Sequence, residues 1–124
     1  MTQEEKDLLL KDIFGRIPYG VKCSYLDIEF NNTTYGNLET FEYDDDKDVI
    51  FVIDGIGIYS EHVKPYLFPI SSMTEEQEKE WRYTLSSDGN ITYETVDWLN
   101  KNHFDYRGLI PMGLANDATE LNIY

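Results

Sequence analysis

A chain of 124 residues, 41% of them hydrophobic, is long enough to bury a core as one domain, which argues against global disorder. Twenty-four Asp and Glu residues oppose ten Lys and Arg residues and give a net charge of −14. Because phosphate backbones and anionic membranes attract cationic proteins, this balance argues against direct binding to nucleic acids or membranes. It is compatible with a basic protein partner.

The compartment is predicted from the cysteine count and the N-terminus. Cys23 is the only cysteine, so an internal disulfide is excluded and a reducing cytoplasm is expected. The first residues are acidic and lack the apolar core of a secretion signal. No run approaches the roughly eighteen apolar residues of a membrane-spanning helix.

The first predicted element is a helix over residues 2–15. Thr2 and Glu5 have the spacing of a capping box, in which each side chain bonds to the backbone N–H of the other residue. Gly15 and Pro18 then end the helix. An apolar stripe at helical spacing is predicted to face the core and contains Leu9, Leu10, Ile13, Phe14 and Ile17.

A first strand is predicted over residues 19–30. Leu26, Ile28 and Phe30 alternate there with Asp27 and Glu29, which is typical of a strand with one buried and one solvated face. The turn that follows is predicted at Asn31-Asn32 because Asn tolerates left-handed backbone.

Three further strands are predicted at residues 33–43, 49–53 and 56–59, with a turn at Asp54-Gly55 between the last two. Residues 63–70 are predicted to be an edge segment, because Pro65 and Pro69 cannot donate backbone hydrogen bonds inside a sheet.

Two more helices are predicted over residues 74–85 and 92–104, capped by Thr74 with Gln77 and by Thr92. On the last helix, one face collects Tyr93, Val96, Leu99, His103 and Phe104. Residues 116–124 are predicted to be a loosely held tail, although Leu121, Ile123 and Tyr124 could dock on the core.

These elements predict a single α+β domain over residues 1–124. A small antiparallel sheet of three to five strands, or a partly closed barrel, is flanked by an N-terminal helix and two C-terminal helices. Short turns between the strands exclude a parallel sheet, whose crossovers need a dozen or more residues.

An acidic loop provides the first candidate site and consists of Asp44, Asp45, Asp46 and Asp48. A calcium-binding loop of this pattern needs Gly at its sixth position and Glu at its twelfth, where the chain has Val49 and Gly55. We therefore expect a solvated loop that could also contact a partner.

Other motifs do not point to a cofactor or a metal, and none is expected. Asp54-Gly55-Ile56-Gly57 is not followed by the helix N-terminus that a phosphate-binding loop requires. Cys23, His62 and His103 lack the spacing of zinc ligands. Twenty-four carboxylates make chance acid pairs common, so enzymatic activity is not predicted but stays open.

The C-terminal third holds the densest set of polar side chains, and the candidate partner-binding residues there are His103, Asp105, Tyr106 and Arg107. The alternative is structural: a cationic His or Arg near a helix end complements the helix dipole, and Gly108 with Pro111 ends the helix. The pattern favours the structural interpretation and leaves the functional one open.

Three blocks of the sequence resemble a group of short, uncharacterised proteins from gut Bacteroides-type bacteria and their phages and mobile elements. The blocks are RIPYGV (16–21), VKPYLFPISSMTEE (63–76) and DWLNKNHFDYRGLIP (97–111) followed by GLA (113–115). The resemblance implies a bacterial cytosolic or phage-derived protein, and no catalytic or binding residue is carried over from it.

Four functional hypotheses follow. The first is a small, acidic, non-enzymatic module that binds a protein partner. The second is an acidic nucleic-acid mimic that inhibits a host protein, the third is a small enzyme with a carboxylate, Tyr and Arg pocket, and the fourth is a structural subunit. The oligomeric state is left open.

Overall fold

The computed structural model describes residues 1–27 and 29–124, and in this part of the chain it contains three α-helices and one open, mostly antiparallel sheet. The predicted α+β class, with one N-terminal and two C-terminal helices, is confirmed. The helices are α1 (Gln3–Arg16), α2 (Glu75–Thr84) and α3 (Tyr93–Lys101). The strands are β1 (Lys22–Asp27), β2 (Asn32–Tyr43), β3 (Val49–Ile53), β4 (Ile56–Tyr59), β5 (Val63–Pro69), β6 (Phe104–Asp105) and β7 (Asn116–Asp117).

Each α-helix begins where its capping residue was predicted. The Glu5 N–H donates to Thr2 Oγ1 at 3.1 Å, and the Thr2 N–H donates to Glu5 Oε1 at 2.9 Å. Thr74 and Gln77 form the same reciprocal pair at α2. At α3, Thr92 Oγ1 accepts from the Thr95 N–H at 3.2 Å. These bonds satisfy backbone donors that a helix start otherwise leaves unpaired.

The core lies where α1 covers the sheet. Leu9 and Ile13 of the predicted apolar stripe are fully buried, and Leu10, Phe14 and Ile17 pack partly against them. From the sheet, β3 contributes the buried side chains of Phe51 and Ile53. The predicted helical face is therefore confirmed.

The sheet has the order β4-β3-β2-β1-β5-β6, with β7 also paired to β5. The first half of β2 pairs with β1 and its second half with β3, and the register shifts between Leu38 and Thr40. Gly36 lies beside this shift, where a Cβ would collide with the carboxylate of Asp54. The sheet remains open instead of closing into a barrel.

Asp54 and Gly55 form the predicted turn between β3 and β4. Their φ angles are +49° and +81°, which is the two-residue turn whose twist matches a hairpin. The glycine-containing motif at residues 54–57 is thus a hairpin connection.

The prediction that residues 63–70 form an edge segment is wrong, because β5 lies between β1 and β6. Both prolines are nevertheless compatible with this place. Pro65 is the last β5 residue in register with β1, opposite Cys23, and Pro69 is the last residue paired with β6, opposite Asp105. The missing N–H groups therefore fall at the ends of short ladders. β5 pairs in parallel with β6 and with β7, although the short turns between the strands predicted no parallel pairing. Each of these two ladders is only two residues long.

The predicted buried face of the first strand is also wrong. Cys23 and Tyr25 are buried, whereas Leu26 is 37% exposed and Phe30 is 70% exposed. Ile28, the middle residue of the predicted alternation, lies outside the described residues. Cys23 and Tyr25 both belong to the main core cluster, so the face that they share is the one that packs on the core.

The third helix ends earlier than predicted, at Lys101, so His103 lies beyond the helix and not on its apolar face. His103 has φ +63°, and its N–H donates to Asn100 O at 3.1 Å. His103 O then accepts from the Phe68 N–H at 2.8 Å. This sheet pairing draws the chain out of the helix five residues before Gly108, which has φ +74° and belongs to a later turn.

The C-terminal segment docks instead of remaining loose. The Ala118 N–H donates to Leu67 O at 2.8 Å, and Ala118 is buried. The Tyr124 hydroxyl accepts from the Lys22 N–H and donates to Tyr66 O, both at 2.8 Å. It thereby bridges β1 and β5 beyond their last registered pair.

None of the helices in residues 1–27 and 29–124 combines the length and the apolar character needed to cross a membrane.

Candidate functional site

Two of the candidate residues near the C-terminus, Tyr106 and Arg107, join a buried ion-pair network. Arg16 donates from Nε and Nη2 to the two carboxylate oxygens of Asp12, at 2.8 and 3.0 Å. Both side chains are completely buried. Arg107 Nη1 donates to Asp12 Oδ1 at 2.9 Å, so one carboxylate serves two guanidinium groups. We call these three residues the Asp12 network.

The Asp12 network holds the segment after α3 against α1. Arg16 Nη2 donates to Phe104 O at 2.7 Å. The Tyr106 hydroxyl accepts from Arg107 Nη1 and donates to Asn100 Oδ1, each at 2.9 Å. These bonds connect positions as far apart as residues 12 and 107, and they favour the structural interpretation of Tyr106 and Arg107.

Asp105 has a structural task of the same kind. Its two carboxylate oxygens accept from the backbone N–H groups of Leu109 and Ile110, each at 2.9 Å. Asp105 is buried, with only 7% of its surface exposed. Asp105 therefore organises the turn that follows β6.

His103 is neutral at physiological pH. Burial, with smaller effects from the positive charges of Arg16 and Lys22, lowers its pKa to about 4. Its ring stacks on that of Tyr124, with the ring centres 3.8 Å apart. The expectation of a cationic His that complements a helix dipole is wrong for this residue, because it lies past the helix and stays uncharged.

The groups that an enzyme would use near Tyr106 are hydrogen-bonded within the fold. Asp105 and Tyr106 do line a cavity of about 470 Å³. However, the phenol of Tyr106 and the carboxylate of Asp105 already have the partners described above. Burial also raises the pKa of the Cys23 thiol to about 12, so the reactive thiolate is scarce at neutral pH.

The acidic loop is held in shape by its first residue. Asp44 Oδ1 accepts from the N–H groups of Asp46 and Asp48, both at 2.9 Å, and Asp44 Oδ2 accepts from the Tyr59 hydroxyl at 3.1 Å. This hydrogen bond is the main cause of a raised pKa of Tyr59. Asp45, Asp46 and Asp48 are exposed. The loop is therefore tied to β4 while three of its carboxylates face solvent.

A groove that the sequence reasoning missed lies beside this loop, between β4 and the end of β1. It has a volume of about 510 Å³, and we call it the β1–β4 groove. Its large exposed apolar side chains are Leu26, Phe30, Ile56 and Tyr59, with exposed fractions of 37%, 70%, 47% and 46%. The end of β1 and β4 line the same groove although β2 and β3 lie between them in the strand order.

The rim of the β1–β4 groove is acidic. Asp27 and Glu29 line it, and Asp44 accepts a hydrogen bond from Tyr59, which also lines it. Asp27 Oδ1 accepts from the N–H groups of Glu29 and Phe30, at 3.1 and 3.4 Å, and so shapes the turn that presents Phe30. His62 also lines the groove. The groove is thus lined by apolar side chains together with the carboxylates of Asp27 and Glu29.

The predicted candidate residues therefore fall into two places. Arg107 belongs to the Asp12 network and Tyr106 bonds to it, whereas Asp105 bonds to the turn after β6 and His103 stacks on Tyr124. The acidic loop adjoins the β1–β4 groove. The sequence signal for the groove was the alternation at Leu26 and Phe30, which was assigned to the core. Asp12 and Arg16 were also missed, although opposite charges four residues apart on a helix are a recognisable pair.

Among the residues that the structure describes, no three His, Cys, Asp or Glu side chains are grouped so that they could hold a metal ion. Comparisons with protein-family models, curated proteins and solved structures find no match to this chain.

Proposed function

We propose that this chain is a small protein-interaction module that binds a segment of a protein partner in the β1–β4 groove. The observation that carries the proposal is the exposure of four large apolar side chains around one groove. Single exposed apolar side chains are normal, but several gathered at one place often mark a binding site. Phe30 is the most exposed of the four, at 70%.

The charge of the groove indicates the chemistry of the partner. Asp27 and Glu29 lie on its rim, the acidic loop adjoins it, and the whole chain has a net charge of −14. Complementary charges speed association and select among partners. We therefore expect a segment with apolar anchor residues flanked by Lys or Arg.

The same proposal places the protein in the cytoplasm of a bacterial cell, encoded by the bacterium, a phage or a mobile element. The resemblance of the three sequence blocks supports this setting. The single cysteine, which remains a buried thiol, is compatible with a reducing compartment.

The test is a quantitative pull-down from a bacterial lysate, compared between matched variants. Phe30→Ala with Ile56→Ala removes the exposed anchors of the groove. Tyr83→Ala with Tyr93→Ala is the control, because these side chains are 88% and 93% exposed and lie outside the groove. We expect one stoichiometric partner whose affinity falls about tenfold or more in the groove variant only.

Raising the salt concentration should weaken the parent complex, because the rim charges are exposed to solvent. A partner that binds the groove variant as tightly as the parent would refute the proposal.

Neutralising the acidic loop separates this proposal from a nucleic-acid mimic. Changing Asp45, Asp46 and Asp48 to Asn should slow association and leave the apolar contacts in place, because Asp44, which bonds to Tyr59 of the groove, is retained. If that variant loses a nucleic-acid-binding partner while the groove variant retains it, the mimic hypothesis replaces ours.

A further inference from the structure

A second cavity, separate from the β1–β4 groove, lies between α2, α3 and the turn after β5. Its volume is about 470 Å³, which is within the range of sites that bind small molecules. Ile70, Met73 and Leu99 provide aliphatic wall, and Trp81 and Tyr106 provide aromatic wall. We call it the α2–α3 pocket.

The polar side chains of the α2–α3 pocket include two carboxylates, Glu78 and Asp105, with the hydroxyl of Ser71. The residues described as lining it include no Lys, Arg or His. Asp105 is held rigidly by two backbone N–H groups. The pocket therefore offers negative charge in a fixed position beside apolar surface.

Three arginines lie near these carboxylates, and Glu78, whose side chain is 48% exposed, is the carboxylate that an incoming cation can reach. Arg82 donates to Glu78 at 2.7 Å, but its side chain is 67% exposed, so an incoming cation can replace this surface pair at little cost. Arg16 and Arg107 lie against the ring of Tyr106, with guanidinium carbons 5.2 and 4.6 Å from its centre. These two share the carboxylate of Asp12, so together they carry one net positive charge, which offsets the charge of Asp105 and leaves Glu78 as the carboxylate available to a cation.

Of the two aromatic side chains, Trp81 is the one available to a cation. The ring of Tyr106 already contacts two of the protein's own guanidinium groups. Trp81, whose indole is the best aromatic partner for a cation, is partly exposed and lines the pocket. Glu78 and Trp81 are three residues apart on α2, so their side chains are neighbours on the helix surface.

We propose that the α2–α3 pocket binds a small organic cation of the arylalkylamine class. The apolar part of the ligand packs against Ile70, Met73 and Leu99, and its ammonium group is held by Glu78 and Trp81. The net charge of −14 raises the local concentration of such cations. This site is independent of the protein-binding groove.

The experiment titrates the full chain with phenethylamine by calorimetry and by NMR shifts, at physiological ionic strength. Phenethyl alcohol and hydrocinnamate are the neutral and anionic probes of similar shape. We expect saturable binding of the amine, with shifts at α2 and the turn after β5. The alcohol should bind about fivefold more weakly, and the anion should not bind.

Matched variants on α2 locate the charge effect. Glu78→Gln should weaken amine binding about fivefold and leave alcohol binding unchanged. Glu80→Gln removes the same charge from an exposed position outside the pocket and should change neither. Thermal melts establish that both variants are folded.

Three results would overturn the proposal. Equal binding of amine and alcohol would mean an apolar cavity without charge selection. Equal losses in Glu78→Gln and Glu80→Gln would mean general attraction to an acidic protein. An absence of saturable shifts around the pocket would mean that no such site exists.

Discussion

Removing the charge of Asp12 should be among the most damaging single changes in this protein. Asp12→Asn leaves the guanidinium groups of Arg16 and Arg107 without their shared counter-charge, and the Arg16 side chain is completely buried. Breaking a buried pair by removing one partner costs about 3–5 kcal/mol, because the remaining charge is desolvated and unpaired. A domain of this length loses about 4 °C in Tm for each kcal/mol, so we expect a fall of about 12–20 °C.

The assay is urea unfolding followed by circular dichroism at neutral pH, with two comparison variants. Asp7→Asn is the control on the same helix, because Asp7 is exposed and its side chain accepts from Gln3. It should change the free energy of unfolding by no more than about 0.5 kcal/mol. Arg107→Met leaves the bidentate pair of Asp12 and Arg16 intact and should cost only about 1–2 kcal/mol.

Both the size and the order of the losses in the free energy of unfolding test the role of the buried charge. A loss below about 1 kcal/mol for Asp12→Asn would show that the buried charges are not unpaired in the variant. A larger loss for Arg107→Met than for Asp12→Asn would show that packing, not charge, governs this region.

Two further predictions concern the residues packed at the C-terminus. Because the pKa of His103 is lowered to about 4 from about 6.5 in the unfolded chain, the unfolded state binds more protons and stability falls as pH drops through that range. We expect the free energy of unfolding to fall by about 1–2 kcal/mol, after allowing for partial exposure of the ring. Urea unfolding at several pH values should show that this pH-dependent loss is absent in His103→Asn and present in His62→Asn. A pH profile of His103→Asn that matches the parent would contradict the prediction. Tyr124→Phe removes the hydroxyl that bridges β1 and β5, should cost about 1 kcal/mol and should speed exchange of the Lys22 amide proton. Tyr83→Phe, on an 88% exposed side chain, is the control, and equal stability of the two variants would rule out the bridge.

Features that depend on neighbours in the chain could be predicted from the sequence. The capping boxes at Thr2 and Thr74 use bonds across three residues, so the spacing of the side chains is sufficient to find them. The bounds of β3 and β4 match their predicted ranges because the turn at Asp54-Gly55 separates two short apolar runs. The apolar stripe of α1 followed from helical periodicity alone.

Features that depend on distant segments could not. His103 leaves the helix because its carbonyl pairs with Phe68, thirty-five residues earlier. The central place of β5 depends on short ladders with three different strands. In neither case does the local pattern contain the partner, so helix periodicity and proline chemistry pointed to the wrong arrangement.

The candidate sites also combine features that are local in the sequence with features that depend on distant segments. The sequence by itself determined which side chains are present: an acidic loop, an apolar alternation at the end of β1, and a dense polar group near the C-terminus. Only the tertiary structure decided that Asp12 and Arg16 hold that polar group inside the fold, and that Leu26 and Phe30 face a groove. Alternation shows that a strand has two faces, but which of them is buried depends on which other elements of the fold pack against the sheet.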